Sequence, residues 1–507
     1  MTNYSKGMMK QIEDLTVEKD QLSAEKKELR AENHELRRKH DYLEESLEEK
    51  IAAAVERVCV PLYERIKHLE TEIERRDVEI SRLKAQIEKD SSNSSKPPGT
   101  DGFKQIPNSR EPSGKKVGGQ KGHKGTTLSV PKNLDDLVRE GKAKKQVVDL
   151  TNGAKKYVSK WKIDLEMTVV YTEYRYPCGE GVMPGVFYGE EVKALSVVLS
   201  NHGLIAEGRL SDIFTEISGG LITVSEATVE KFNYEAAAKV DIEAIKQDLL
   251  NGEVMHTDET PVRCAQLLEY DAISPETAKN TTFDATIRTH SSANATLYTV
   301  NPHKDDEGVV RDGIIPAFFG ILAHDHDRKY YKYSEEHAAC GAHLSRELKG
   351  LHELYNIEWA DKFRKFYTGL NDYKRKTDAC EPNKLAEFEQ TYDELLAEGD
   401  AVLSGMRPKS FGYDELRPVL KRLRDYKDAY LLFIRDYKAP FTNNLAERDL
   451  RHCKTKQKVS GCFRSWNGVV CYAHIRSFIS TTLKRKQNLF AAVKGLFVGS
   501  AACPAEL

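Results

Sequence analysis

Three acidic residues sit in short segments whose patterns place them on strands or at a helix start. They are Asp258 in His256-Thr257-Asp258-Glu259-Thr260-Pro261, Asp325 in Ile321-Leu322-Ala323-His324-Asp325, and Glu447 in Asn443-Asn444-Leu445-Ala446-Glu447-Arg448. Two Asp and one Glu that meet in space can hold two Mg²⁺ ions, with Mn²⁺ as a substitute. One ion then activates an attacking oxygen and the other stabilises the leaving oxygen of a phosphodiester. Asp258 follows the apolar pair Val254-Met255, and a carboxylate at mid-strand is costly unless it meets a cation or a donor. Glu259 points to the opposite face of the same strand, so one of the two acids can aim at the site, and we take Asp258. Asp325 ends the apolar run Phe319-Gly320-Ile321-Leu322, with Asp327 as the rival ligand. Asn443 stands where it can cap the helix that carries Glu447. On that helix Glu447, Arg451 and Lys454 fall near one face, which offers a metal ligand beside two cations for phosphate.

The elements that position these acids follow from periodicity. From Gly252 the pattern turns to strands over 254–263, 281–289 and 295–300, then to a helix near 305–317 and a strand over 319–324. Antiparallel strands, a helix and a further strand fit a ribonuclease H-like α/β catalytic core, expected over 249–475. A charged helical stretch of about 345–435 is too long for a loop and reads as an insertion between the second and third acids. Residues 476–507 are expected to form a C-terminal tail.

The whole chain of 507 residues is too long for one core. Its expected class is multidomain α+β. Leu15, Leu22, Leu29, Leu36 and Leu43 repeat every seven residues and predict a coiled-coil segment over 1–90, hence a homo-oligomer; an antiparallel hairpin within one chain, turning about Pro61, is the alternative. Lys19, Lys26, Asn33 and His40 stand four residues after successive Leu residues, where apolar packing is poor. A second apolar register starts at Val55, and Pro61 predicts a kink or break near the change of phase. Residues 91–130 form a basic linker rich in Gly, Pro and Ser. Residues 131–186 read as a small mixed unit with a strand about Thr168–Thr172. Residues 187–248 read as helical, with segments Glu207–Ile217 and Ser225–Glu235 across a Gly-containing turn, an arrangement like a helix-turn-helix that reads DNA.

A formal net charge of −2 hides local asymmetry. Residues 96–125 carry seven Lys or Arg against two acids, and residues 444–486 carry ten against two. Candidate phosphate contacts are Arg448, Arg451, Lys454, Lys456, Lys458 and Arg464 in the second stretch and Lys115, Lys116, Lys121 and Lys124 in the first. No apolar run is long enough to span a bilayer, and the nine Cys form no framework. The expectation is a cytoplasmic, nucleoid-associated protein with no membrane partner. Cys340-x-x-His343 and the series Cys453, Cys462, Cys471, His474 include zinc-ligand types. The gaps of the series are not finger-like, and buried free Cys is common, so structural zinc is not expected.

Several ordered motifs together resemble one family. They are Ser94-Ser95-Lys96-Pro97-Pro98 with Asp101-Gly102, Gly118-Gly119-Gln120-Lys121-Gly122-His123, Asp258-Glu259-Thr260-Pro261-Val262-Arg263, Cys340-x-Ala342-His343, Pro440-Phe441-Thr442-Asn443-Asn444-Leu445-Ala446-Glu447-Arg448, and Lys456-Gln457-Lys458-Val459-Ser460-Gly461-Cys462-Phe463-Arg464-Ser465. With the leucine-zipper segment they resemble the DDE transposases of the insertion-sequence-66 family over nearly the full length. The resemblance implies that Asp258, Asp325 and Glu447 are the catalytic triad, and that Lys454 grips a phosphate beside the scissile bond. It implies binding of terminal inverted repeats, metal-dependent strand cleavage and strand transfer to target DNA, with accessory proteins of the same element as possible partners. The alternative is a catalytically inactive, oligomeric DNA-binding repressor. Two departures stand out. The place of the family's Cys-rich finger holds only Cys178, and His326 replaces the Gly expected after the second acid.

Overall fold

The computed structural model describes residues 3–43, 48–94, 129–149, 156, 158–175, 185–265 and 283–498. Two long helices open the chain, α1 (Asn3–Leu43) and α2 (Glu48–Glu88). They pack against each other antiparallel. Met8, Leu15, Ile80 and Leu83 are buried between them, flanked by Ile12 and Ile87. Lys19 pairs with Asp77 at 2.7 Å and Lys26 with Glu70 at 3.2 Å. Two of the positions that looked poor for packing, Lys19 and Lys26, thus face acids of α2, which explains their charge. Of the leucine seam, Leu15 is buried against α2 and Leu22, Leu29 and Leu36 are half-buried, so the two helices pair within one chain. The two apolar registers are out of phase because they lie on separate helices. Pro61 lies inside α2, which continues through it, so the expected break there is corrected: the first helix ends at Leu43.

The short α3 (Leu134–Arg139) is the one element of the 131–186 stretch among the described residues. The strand expected about residues 168–172 does not form, and Val170 and Tyr171 are exposed. A β-branched run without a partner strand has nowhere to place its backbone hydrogen bonds except water.

Four helices follow: α4 (Glu190–Asn201), α5 (Glu207–Ile217), α6 (Glu226–Ala238) and α7 (Ile242–Leu250). Ser225 caps α6 by accepting from the Thr228 N–H at 3.2 Å. Gly219 and Gly220 take φ of +63° and +83° in the turn between α5 and α6, conformations that favour glycine.

Strands β1 (Val254–Cys264), β2 (Phe283–Ser291) and β3 (Thr296–Asn301) form an antiparallel meander, which α8 (Asp306–Asp312) follows. Strand β4 (Ile321–His324) then lies parallel to β1, and β5 (Glu336–Ala339) parallel to β4. The five-stranded sheet has the order β3-β2-β1-β4-β5, and β5 was not foreseen. Helices α9 (Gly341–Tyr355), α10 (Glu358–Lys374), α11 (Pro382–Gly405), α12 (Tyr413–Asp425) and α13 (Lys427–Arg435) form the expected insertion. Their core, including Leu344, Phe363, Tyr367 and Tyr430, rests on Ile321, Ala323, Ala338 and Ala339 of β4 and β5.

The chain then returns through α14 (Asn444–Ser460), α15 (Trp466–Lys484) and α16 (Leu489–Gly495). Leu450, Cys453, Val469, Tyr472 and Ala473 of α14 and α15 pack on Val262, Ala285, Ile287 and Tyr298 of the sheet, with Trp466 at the margin. Met255, Leu297 and Leu322 face the other side, toward α7 and α8. The alternation is that of a sheet buried on both faces. Residues 476–497 are not a tail: Arg476, Ser477, Ile479 and Phe497 are buried, and α16 shares a core with α4 and α6. The apolar face of α4–α6 needs α15 and α16 to cover it, so this region and the chain end fold together.

Candidate active site

Asp258 lies in the middle of β1, opposite Thr289 of β2. By the strand's period of two it shares a face with Val262 and Cys264, the face that α14 covers. Glu259 takes the other face. There it contacts Arg288 at 2.8 Å, and it also meets Lys329, while Arg288 pairs with Asp312; all four side chains are buried. Glu259 thus belongs to a separate, compensated ion cluster. Asp325 follows the last residue of β4, next to β1 in the sheet. Asp327 is exposed and paired with Lys329 at 2.9 Å. Glu447 lies in the first turn of α14.

Asp325, Glu447, Cys340 and His343 each offer a ligand atom, and these atoms all lie within 4.8 Å of one another. His343 Nδ1 stands 3.1 Å from Asp325 Oδ1 and 3.6 Å from Glu447 Oε1. Asp258 is not among the four, but it feels both acids. Burial first, then the charges of Asp325 and Glu447, push its carboxyl up to about 7, against the opposing charge of Lys454. Burial also disfavours charge on Asp325, yet the His343 contact overrides it and holds that carboxyl below the usual range. For His343, burial is outweighed by Asp325 and Cys340, and the imidazole is pushed up to about 11. The site therefore holds one acid that resists ionisation, one that is held ionised, and a cation between carboxylates.

Asn443 is fully buried and occupies the N-cap position of α14, but its side chain does not cap that helix. The amide Nδ2 donates instead to the Thr257 carbonyl at 2.7 Å and lies 3.5 Å from Asp325 Oδ1, while Oδ1 faces His256 Nδ1 at 3.2 Å. One side chain thus ties β1, the end of β4 and the start of α14 together, which corrects the capping role expected for it. Its backbone N–H donates to Cys340 Sγ at 3.2 Å. Gly341 permits this approach, since a Cβ there would collide with the Phe441 ring.

Two residues after Glu447, Asp449 is buried and paired with Lys484 at 2.9 Å, and it accepts from Ser291 and Thr296 at 2.7 and 2.9 Å. These bonds fix α14 against β2, β3 and α15. Sequence reasoning missed Asn443, Asp449 and His343 as parts of the site. The Cys340-x-x-His343 spacing at a helix start was the one available signal.

Arg448, Arg451, Lys454, Lys458 and Arg464 are exposed on or just beyond α14, and Lys454 is near enough for its charge to act on Asp258. Lys456 is half-buried beside Glu207 of α5, and burial lowers its ammonium. Lys115, Lys116, Lys121 and Lys124 lie outside the described residues. His324 is buried against His337 with a contact of 3.1 Å, and His326 meets the Tyr430 hydroxyl at 2.8 Å. Both serve packing. No helix of the described residues is long and apolar enough to cross a membrane.

The family model described as "Transposase IS66 family" matches residues 185–471, more than half of the chain, and includes all three acids. That described as "Family of unknown function (DUF6444)" matches residues 17–129. No curated protein matches the chain.

Proposed function

Because the chain belongs to the IS66 family of transposases, we propose that it binds the terminal inverted repeats of a mobile DNA element and carries out strand cleavage and strand transfer, with Asp258, Asp325 and Glu447 as the catalytic carboxylates. The observation that carries this reading is that Asp325 and Glu447, 122 residues apart in sequence (447 − 325), meet in one cluster, and that Asp258 of the central strand, 67 residues before Asp325 (325 − 258), feels the charge of both. The strand order β3-β2-β1-β4-β5, with three antiparallel strands and two parallel ones, supports a ribonuclease H-like core.

The carboxylates suit Mg²⁺, which takes oxygen ligands and keeps waters. When bound, two such ions supply charge neutralisation and an activated oxygen for in-line displacement at phosphorus. The chain's own residues do the rest. Asp258 on β1, Asp325 just past the end of the neighbouring β4 and Glu447 in the first turn of α14 are the residues that would hold the ions. Asn443 fixes their separation. Arg451 and Lys454 lie on the exposed side of the same helix, where they can grip the phosphates flanking the scissile bond. Helices α5 and α6 are suited to the repeat-binding role because α6 begins at a defined cap and follows a tight turn. Lys456 packs beside Glu207, which joins that pair to the catalytic body.

The test is divalent-dependent nicking of a duplex carrying a terminal repeat. Asp258→Asn should abolish cleavage while leaving DNA binding intact. Wild-type protein that binds the repeat but never cuts it would favour the repressor reading, and undiminished cleavage by Asp258→Asn would remove this residue from the chemistry.

A further inference from the structure

The donor set beside the acids is softer than magnesium requires. Cys340 precedes α9 and His343 lies in its first turn, so the two residues, three apart, project from one side of the helix start. They meet Asp325 from the end of β4 and Glu447 from α14, and all four donor atoms fall within 4.8 Å. Three separate elements thus supply one sulfur, one nitrogen and two oxygens to a common point. Mg²⁺ has no use for a thiol or an imidazole, whereas Zn²⁺ and similar ions accept S, N and O donors in a four-coordinate shell.

Two further features point to an ion. Glu447 Oε1 is buried without a hydrogen bond and faces the cluster, 3.6 Å from His343 Nδ1. Cys340 is buried, and its sulfur accepts from the Asn443 N–H at 3.2 Å. The surrounding shell is rigid, because the same Asn443 holds β1 through Thr257. Asp258 stands outside the tetrad and stays free for a second, oxygen-ligated ion.

We propose that Asp325, Cys340, His343 and Glu447 form a site for one divalent transition ion of the Zn²⁺ class, so that the active centre is asymmetric: a mixed-donor position next to a carboxylate position. This deepens the proposed function by assigning ion type to one position, but ion binding does not depend on DNA cleavage. Binding displaces the thiol proton of Cys340 and the proton on His343, and both are released to solvent.

The experiment is a titration of the full-length, metal-stripped protein with Co²⁺ as spectroscopic probe, followed by Zn²⁺ competition. The expected result is an intense near-ultraviolet thiolate-to-Co²⁺ charge-transfer band that saturates at one ion per chain, is displaced by Zn²⁺ and withstands excess Mg²⁺. Cys340→Ser should abolish the band, and Cys340→Ser and His343→Gln should each weaken Zn²⁺ binding at least about tenfold. Cys380→Ser, at a half-exposed position between α10 and α11, should keep both. A wild-type protein with no such band overturns the proposal without any variant, and so does a band that persists in Cys340→Ser. Failure to cleave repeat DNA with the band intact would reject the catalytic reading and leave the ion site standing.

Discussion

Replacing Asn443 with Ala tests whether one buried amide sets the geometry of the acids. The side chain makes a 2.7 Å bond to the Thr257 carbonyl and a 3.2 Å contact with His256 Nδ1, with Asp325 Oδ1 at the margin at 3.5 Å. Losing a buried hydrogen bond costs about 1 kcal/mol net, and each partner left unpaired costs about 1–3 kcal/mol. With Thr257 and His256 both affected, Asn443→Ala should destabilise the sheet domain by about 3 kcal/mol, a large part of the roughly 5–15 kcal/mol that a domain has. Urea unfolding of metal-free protein should show the lower midpoint at an unchanged slope. Hydrogen exchange should quicken at β1 amides near Thr257. Asn443→Asp keeps the shape but replaces the donor with an anion beside Asp325, so it should be no better than Ala. Cleavage should fall about 100-fold in Asn443→Ala if the acids lose register by about 1 Å. A variant that unfolds at the wild-type midpoint and leaves β1 exchange unchanged would refute the role given to Asn443.

Three other expectations can be measured. Asp258 has a folded value near 7, raised by burial and then by Asp325, above the unfolded carboxyl of about 3.9. The folded state therefore binds more protons between these values, and this site's contribution is fully present below about pH 4 and declines as pH rises through about 7. Asp258→Asn should flatten that decline in thermal melts of metal-free protein across the window; melting curves of variant and wild type that stay parallel with pH would contradict it. Asn33 is buried between α1 and α2 with its Nδ2 unpartnered, so Asn33→Leu should raise hairpin stability by about 1–2 kcal/mol. Thermal melts followed at the helical signal would show the gain, and an unchanged melt would contradict it. Asp449→Ala strands Lys484 in a buried setting and should cost about 3–5 kcal/mol; a melting temperature within a degree of wild type would show that the pair does not anchor α14.

Much of the fold was legible because local pattern and tertiary demand agreed. Strands β1 to β4 follow the β-branched and apolar runs that predicted them, and helices α5 and α6 lie where the two helical segments were read. The expected strand at 168–172 failed because β propensity needs a neighbour to accept its hydrogen bonds. The break expected at Pro61 does not occur: α2 runs through it, held against α1 by Ile80, Leu83 and the Lys19–Asp77 and Lys26–Glu70 pairs, and tolerates the loss of one backbone donor. Glu259 was separated from Asp258 by the strand's period alone, and the Arg288 cluster occupies the face that this period gave it. Spacing to Tyr330 favoured Asp325 but did not exclude Asp327. The structure leaves Asp327 exposed and paired with Lys329, and brings Asp325 to Glu447.

The sequence by itself determined which residue types stand ready, on which kind of element and on which face, because those properties depend on neighbours a few positions away. It also carried the likeness that the family match bears out. Tertiary structure alone decided the rest. It folded α1 back on α2 within one chain, drew α15 and α16 into the core, and turned Asn443 from a helix cap into a tie between strands. It also brought Cys340 and His343 beside Asp325 and Glu447. Each of these depends on contacts between residues far apart in the chain, whose proximity only the packing of the whole sheet and its helices fixes.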